Sequence, residues 1–391
     1  MSKHPYQIGL LGDYQPHQAA IEATVRARFD ELGISGEYQI VAGSEVINRD
    51  RLAPFAALFF GYAGAATSTA TELRDALADS VVVLPIVDDL TSFSAHVPPE
   101  LRGVNGVAKN PADPGFNAAV GTLLEGFKLL RRDRRLFISY RRDDSSAIAN
   151  QLYDVLDRRG FDVFLDTRGV PPGEDFQAVL WHRMADSDVV VLLDTPNFLE
   201  SRWTEAELTK ANATNIQVLH VLWPGRPASA PAAFSRFFSL ANGSFQSHDQ
   251  GKNGLLQDTI ADLIAVEVEG LRARAIAARH RYLTDAFCDA ARARSLSVVV
   301  QPSRHIVVTA PKGTYVVVPL VGVPNALRLH EVEIELASSN SRGPFGTWAL
   351  YDERGLLTGI LEHLDWLNDS LPLEAVSVFS VATRLDQMAS P

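Results

Sequence analysis

The feature that most constrains this chain is an alternation of short apolar runs with stretches of helical periodicity. Tyr6–Leu11 runs into Gly12-Asp13, Phe55–Phe60 (FAALFF) into Gly61, and Val81–Val87 (VVVLPIV) into Asp88-Asp89. Leu136–Ile138, Val163–Leu165 and Val189–Leu193 repeat the theme further along. A strand that is apolar at nearly every position is covered on both faces, which is the habit of parallel sheets. Helices lying between such strands are what cover them. The chain therefore reads as α/β, and its 391 residues suit two or three domains at roughly 100–200 residues each.

Residues 1–130 read as a first α/β domain. Gln18–Leu32 has helical spacing and stops at Gly33. Thr69–Ala78 suits a helix capped by Thr69, and Pro114–Leu130 another. Ligands of such sheets sit at the carboxyl ends of the strands. Here those ends offer Gly12-Asp13, Gly61–Gly64 and Asp88-Asp89, either as a nucleotide-like pocket or simply as turns. No Walker or GxGxxG pattern is present. An internal echo joins this domain to the next: Ala78-Asp79-Ser80 precedes Val81–Leu84 as Ala185-Asp186-Ser187 precedes Val189–Leu192. It is read either as a degenerate copy of the central fold or as a generic helix-to-strand junction.

Residues 134–270 form the central domain. Arg135–Tyr140 is a strand, and Asp144-Ser145-Ser146 caps a helix ended by Gly160. Val163–Leu165 is the next strand, with Asp166-Thr167-Arg168 at its end and the loop Gly169–Gly173 (GVPPG) beyond. Phe176–Met184 begins a helix, Val189–Leu193 is a strand, Ser201 caps a helix through Trp203 and Glu207, and Ile216–Leu222 is the fourth strand. Leu255–Arg281 is helical by pattern.

Three pieces of this stretch, in order, resemble a TIR (Toll/interleukin-1 receptor) domain of the bacterial type. They are Phe137-Ile138-Ser139-Tyr140-Arg141-Arg142, then Phe164-Leu165-Asp166 with Pro172-Gly173, then Ser201-Arg202-Trp203 with Glu207-Leu208. Each piece is weak alone; the ordered set is specific. The resemblance implies a flavodoxin-like parallel sheet. It implies either an adaptor that associates with other TIR domains or an enzyme that cleaves NAD⁺ at the nicotinamide–ribose bond, with ADP-ribose or cyclic ADP-ribose as product. The family's Trp-x-x-x-Glu pattern places the catalytic acid at Glu207, with Glu205 two residues away on another side of the helix. It places Arg141 and Arg142 at the nucleotide site, with Ser139 and Asp166 beside them. Arg168 stands where related enzymes often carry an acid, a departure that the resemblance implies would alter substrate fit. Trp203 either stacks on an aromatic ring or pins the helix. The GVPPG loop corresponds to the family's mobile loop.

The chemistry suits those residues. Breaking the nicotinamide–ribose bond builds oxocarbenium character, and the leaving group is already cationic, so no acid is needed to expel it. One carboxylate under the anomeric carbon suffices to stabilise the charge. Arginines suit the pyrophosphate. NAD⁺ is then a substrate, and neither a cofactor nor a metal is expected. The same resemblance implies an effector of anti-phage defence switched on by self-association through TIR domains. The rival readings are a non-catalytic assembly scaffold and a nucleotide-signal receptor.

Residues 281–391 read as an α+β regulatory or oligomerisation domain without a recognised family. Tyr282–Arg294 is helical; Ser297–Gln301, His305–Ala310, Thr314–Val321 and His330–Leu336 read as strands, with a hairpin at Pro311-Lys312-Gly313. Leu356–Leu367 is an amphipathic helix, followed by a closing strand or helix at Leu373–Val381. His305, His330 and His363 are too scattered for a metal site. An activating partner or ligand is expected to act on the flanking domains. The net charge of −11 disfavours direct nucleic-acid binding. A single cysteine, Cys288, excludes an internal disulfide. No run of about 18 apolar residues suggests a membrane span, so a soluble, cytoplasmic protein is expected.

Overall fold

A computed structural model describes residues 6–65, 71–165, 176–197, 214–228, 235–338 and 346–389. Three five-stranded sheets fall into two compact units, Met1–Arg132 with Asp258–Arg274 and Asp133–Gln257 with Ala275–Pro391.

The first unit contains β1 (Tyr6–Gly12), α1 (Gln18–Glu31), β2 (Tyr38–Ala42), β3 (Phe55–Phe60), α2 (Thr71–Asp79), β4 (Val82–Val87), α3 (Phe93–His96), β5 (Val107–Ala108) and α4 (Asn117–Gly126). Its strands are all parallel, in the order β2-β1-β3-β4-β5. Phe55, Ala57 and Phe59 pack with Leu73 and Ala76 of α2. On β1, Tyr6 meets Phe29 of α1 and Phe127 just past α4, with ring centroids 5.8 and 5.2 Å away. Both faces are thus covered, as continuous apolar strands require. Strand β2 is absent from the sequence reading because it is an edge strand: of YQIVA only Val41 is buried. Helix α4 is shorter than expected. Phe116 adopts a left-handed conformation (φ 56°) at its start, where the Asp113 carboxylate accepts from the backbone N–H groups of Asn117 (2.9 Å) and Ala118 (3.2 Å).

The second unit begins with β6 (Arg135–Ser139), α5 (Arg142–Asp157), β7 (Asp162–Leu165), α6 (Phe176–Asp186), β8 (Val189–Asp194), β9 (Gln217–Leu222) and β10 (Ser235–Ser239). The sheet is again parallel, in the order β10-β9-β8-β6-β7. Counted from its own first strand this is 2-1-3-4-5, the flavodoxin-like order, and the first sheet has it too. The two Ala-Asp-Ser segments are nonetheless not equivalent. With β2 present, Asp79-Ser80 leads into the fourth strand of the first sheet, whereas Asp186-Ser187 leads into the third strand of the second.

Helix α7 (Asp258–Arg292) is continuous over 35 residues, where the sequence suggested a helix to Arg281 and another from Tyr282. Nothing between Leu271 and Arg292 breaks it, for the stretch is rich in Ala and Arg and holds neither glycine nor proline. Its residues to Arg274 group with the first unit. There Arg28 donates to the Gly270 carbonyl and to Asn117 (both 3.1 Å), and the buried Arg272 pairs with Glu125 at 2.7 Å and with the Arg131 carbonyl. From Ala275 onward α7 belongs to the second unit. Arg279 donates to the Ser187 carbonyl (3.0 Å) and the Ala185 carbonyl, closing the carboxyl end of α6.

The third sheet follows: β11 (Ser297–Val300), β12 (Ile306–Ala310), β13 (Gly313–Pro319), α8 (Ala326–Ser338), β14 (Gly346–Tyr351), α9 (Thr358–Asn368), β15 (Glu374–Ser377) and α10 (Val381–Ala389). Strands β11 to β13 are antiparallel, and β13 to β15 parallel. One face packs on α8 and α9, the other on α7 and α10. The expected strand at His330–Leu336 is instead helix. Leu329, Val332 and Leu336 are buried at helical spacing, while Ile334, which the strand reading put on the buried face, is 54% exposed. The α+β character of this region stands.

Candidate functional site

In a sheet ordered 2-1-3-4-5 the chain turns to opposite sides after the first and third strands, and a crevice opens between their carboxyl ends. In the second sheet those ends are Ser139-Tyr140-Arg141 after β6 and Asp194-Thr195 after β8. Ser139 is fully buried and Tyr140 nearly so. Arg141 has extended backbone at the start of α5, and its Nη1 donates to the Asn197 carbonyl at 3.0 Å. The same nitrogen lies 3.9 Å from Asp144 Oδ2, which accepts from Thr195 Oγ1 at 2.8 Å. Arg141 and Asp144 thus tie the end of β6 to the end of β8 across the crevice. Arg142 is the first residue of α5 and is exposed. The helix kinks at buried Ser145 (φ −151°, ψ 25°), so Arg142–Asp144 form a separate first turn ahead of the main helix. The expected cap at Asp144-Ser145-Ser146 falls on that kink.

Two residues at this edge were not singled out from the sequence. Asp194 ends β8, and its Oδ1 accepts from Arg226 Nη2 (2.8 Å) and Nε (3.2 Å). An acid directly after an apolar strand was a readable signal; an arginine thirty-two positions further on was not. Below it on β9, His220 is buried with Phe237 at 5.0 Å, and burial lowers its pKa although Asp194 works the other way. Asp166, Arg168, the GVPPG loop, Trp203, Glu205 and Glu207 lie outside the described residues. Among the described residues no group of three or more His, Cys, Asp or Glu is placed to hold a metal ion.

The equivalent edge of the first sheet is built of turns. Gly12 has φ 73°, and a Cβ there would lie 2.0 Å from the Phe60 carbonyl oxygen, so only glycine fits. Asp88 takes Lys109 at 2.8 Å, and that ammonium holds its carboxyl below the usual range. Asp89 accepts from the Thr91 N–H at 3.0 Å and caps a short turn.

Sheet order and crevice together define the central segment as an open, doubly wound α/β domain whose ligand edge is the carboxyl end of the sheet. More narrowly, it is a TIR domain: the TIR-domain family model matches residues 136–253, and the chain carries that domain at its centre. No curated protein matches the chain. Among solved structures, one similar chain is a Burkholderia pseudomallei protein bearing an aminotransferase name. It is 14% identical with a TM-score of 0.20, over 50% of this chain and 65% of that one, so this chain spans under two thirds of that structure's length. Another is the C-terminal domain of glucosamine-fructose-6-phosphate aminotransferase from Francisella tularensis, at 10% identity, 71% and 85% coverage and a TM-score of 0.20. At such scores neither bears on this fold. Among the described residues no helix is long and apolar enough to cross a membrane.

Proposed function

We propose that the protein is a TIR-domain NAD⁺ glycohydrolase, active in the cytoplasm in anti-phage defence and switched on by self-association. The observation that carries this reading is the TIR match over residues 136–253 together with the Trp203-x-x-x-Glu207 spacing inside it. In the proposed step the C–N bond between nicotinamide and C1′ breaks, and its electron pair leaves with nicotinamide. The Glu207 carboxylate stabilises the oxocarbenium ion. Water then adds its oxygen to C1′ and loses a proton, giving ADP-ribose; attack by the adenine instead of water gives the cyclic product. Arg141 and Arg142 at the crevice mouth supply positive charge for the pyrophosphate, with Arg168, Asp166, Ser139 and Trp203 as further substrate contacts. The flanking domains control assembly, through a partner or a ligand of their own.

The test is NAD⁺ turnover measured as protein concentration rises. Nicotinamide release should climb more steeply than in proportion to protein, and Glu207→Ala should lower it by about 10²–10³-fold, the usual loss of a charge-stabilising group. Assembly without turnover in the wild type would instead mark a non-catalytic scaffold.

A further inference from the structure

A cleft of about 470 Å³ opens in the third sheet, at the amino ends of the parallel strands β13 to β15 and beside α10. Its volume is in the range of small-molecule pockets, about 300–1,000 Å³. Strand register puts Tyr315, Gly346, Trp348 and Glu374 on one sheet face: Tyr315 pairs with Gly346, Val317 with Trp348, and Trp348 with Glu374. Gly346 has no positive φ that would demand glycine. What a side chain there would meet is the Tyr315 ring, with two ring carbons 3.0 Å from the Cβ position. The bare position lets that ring lie against the sheet, and Trp348 supports it with ring centroids 5.7 Å apart. The floor is therefore aromatic and held in place before any ligand arrives.

The walls carry charge. Lys312, in the β12–β13 hairpin, donates from Nζ to the Gln387 carbonyl at 2.8 Å. That bond offsets the negative end of α10, which would otherwise repel an anion. Arg384 on α10 faces Glu374 at 3.7 Å, close enough for an ion pair but too long for a hydrogen bond. Two cations and one carboxylate line the cleft, a local positive excess on a chain of net charge −11.

We propose that this cleft binds a small organic anion bearing a flat ring, with the ring on Tyr315 and the acidic group between Arg384 and Lys312. The reading is independent of the TIR chemistry. It is tested by calorimetric titration of the full chain carrying Glu207→Ala, so that NAD⁺ cleavage contributes nothing. The probes are AMP, a phosphate ester that also carries a purine ring, and 4-hydroxybenzoate, an aromatic carboxylate; whichever binds identifies the acidic group. Saturable one-to-one binding is expected for at least one probe. Arg384→Gln should weaken it about tenfold or more, as losing a charge-assisted contact does, without moving the thermal midpoint. Gly346→Leu, which crowds Tyr315, should abolish it. The proposal is overturned if neither probe binds at millimolar concentration. It is equally overturned if binding survives Arg384→Gln and Tyr315→Ala, or is lost only on Arg142→Ala, because the probe then sits elsewhere.

Discussion

Single side chains in this molecule act mainly through what they hold together. Asp186 pairs with Arg135 and also accepts from the Val323 N–H at 3.0 Å, while Asp79 pairs with Arg49 and Arg51. The two aspartates of the repeated Ala-Asp-Ser therefore both close a helix and seat arginine, although they precede different strands. His280 on α7 has a titrating consequence. Burial, with a smaller contribution from the nearby Arg304 and His305 side chains, holds its pKa well below the ordinary histidine value. A histidine depressed on folding binds fewer protons folded than unfolded as pH falls below about 6.5, so stability is lost over that window. His182 and His220, lowered chiefly by burial, act in the same sense. The thermal midpoint should drop between about pH 7.5 and pH 5.5, and His280→Gln should flatten that drop. An unchanged slope in the variant would assign it to other groups.

At the level of elements, α8 offers the sharpest check on the fold. Ile334→Lys, at an exposed helix position, should change stability by less than about 0.5 kcal/mol, whereas Leu336→Ala, in the core against β13 and β14, should cost about 2–4 kcal/mol. Denaturant unfolding of the two variants decides it, since a strand would bury both residues on one face. That confusion shows where the sequence was legible. Val332, Ile334 and Leu336 alternate with glutamates, which mimics a period of two, and only Leu329 one turn earlier betrays the period of 3.6. Runs such as FAALFF and VVVLL admit one reading because they are buried throughout. Edge strands β2 and β10 hide because water covers half of each. The TIR motifs at Ser139–Arg142 were legible as sequence. The Asp194–Arg226 pair was not, since no local pattern links two residues brought together by parallel strands.

Across the whole molecule, the first unit is assembled from two separated stretches of chain. Residues 1–132 alone would leave Glu125 and Arg28 without the partners supplied by Arg272 and Gly270. That fragment should therefore unfold at a lower temperature than the same fragment fused through a short linker to residues 258–274. Equal midpoints, read by circular dichroism, would mean that the second stretch adds no stability. The divided layout also sets an order of birth. As the chain leaves the ribosome, all five strands of the first sheet have emerged by Ala108, but the helix segment that completes the unit comes only after the entire 136–253 region has been synthesised. The second unit is divided in the same way, since residues 275–391 join it after the central sheet has emerged, so neither unit is complete until α7 has been made.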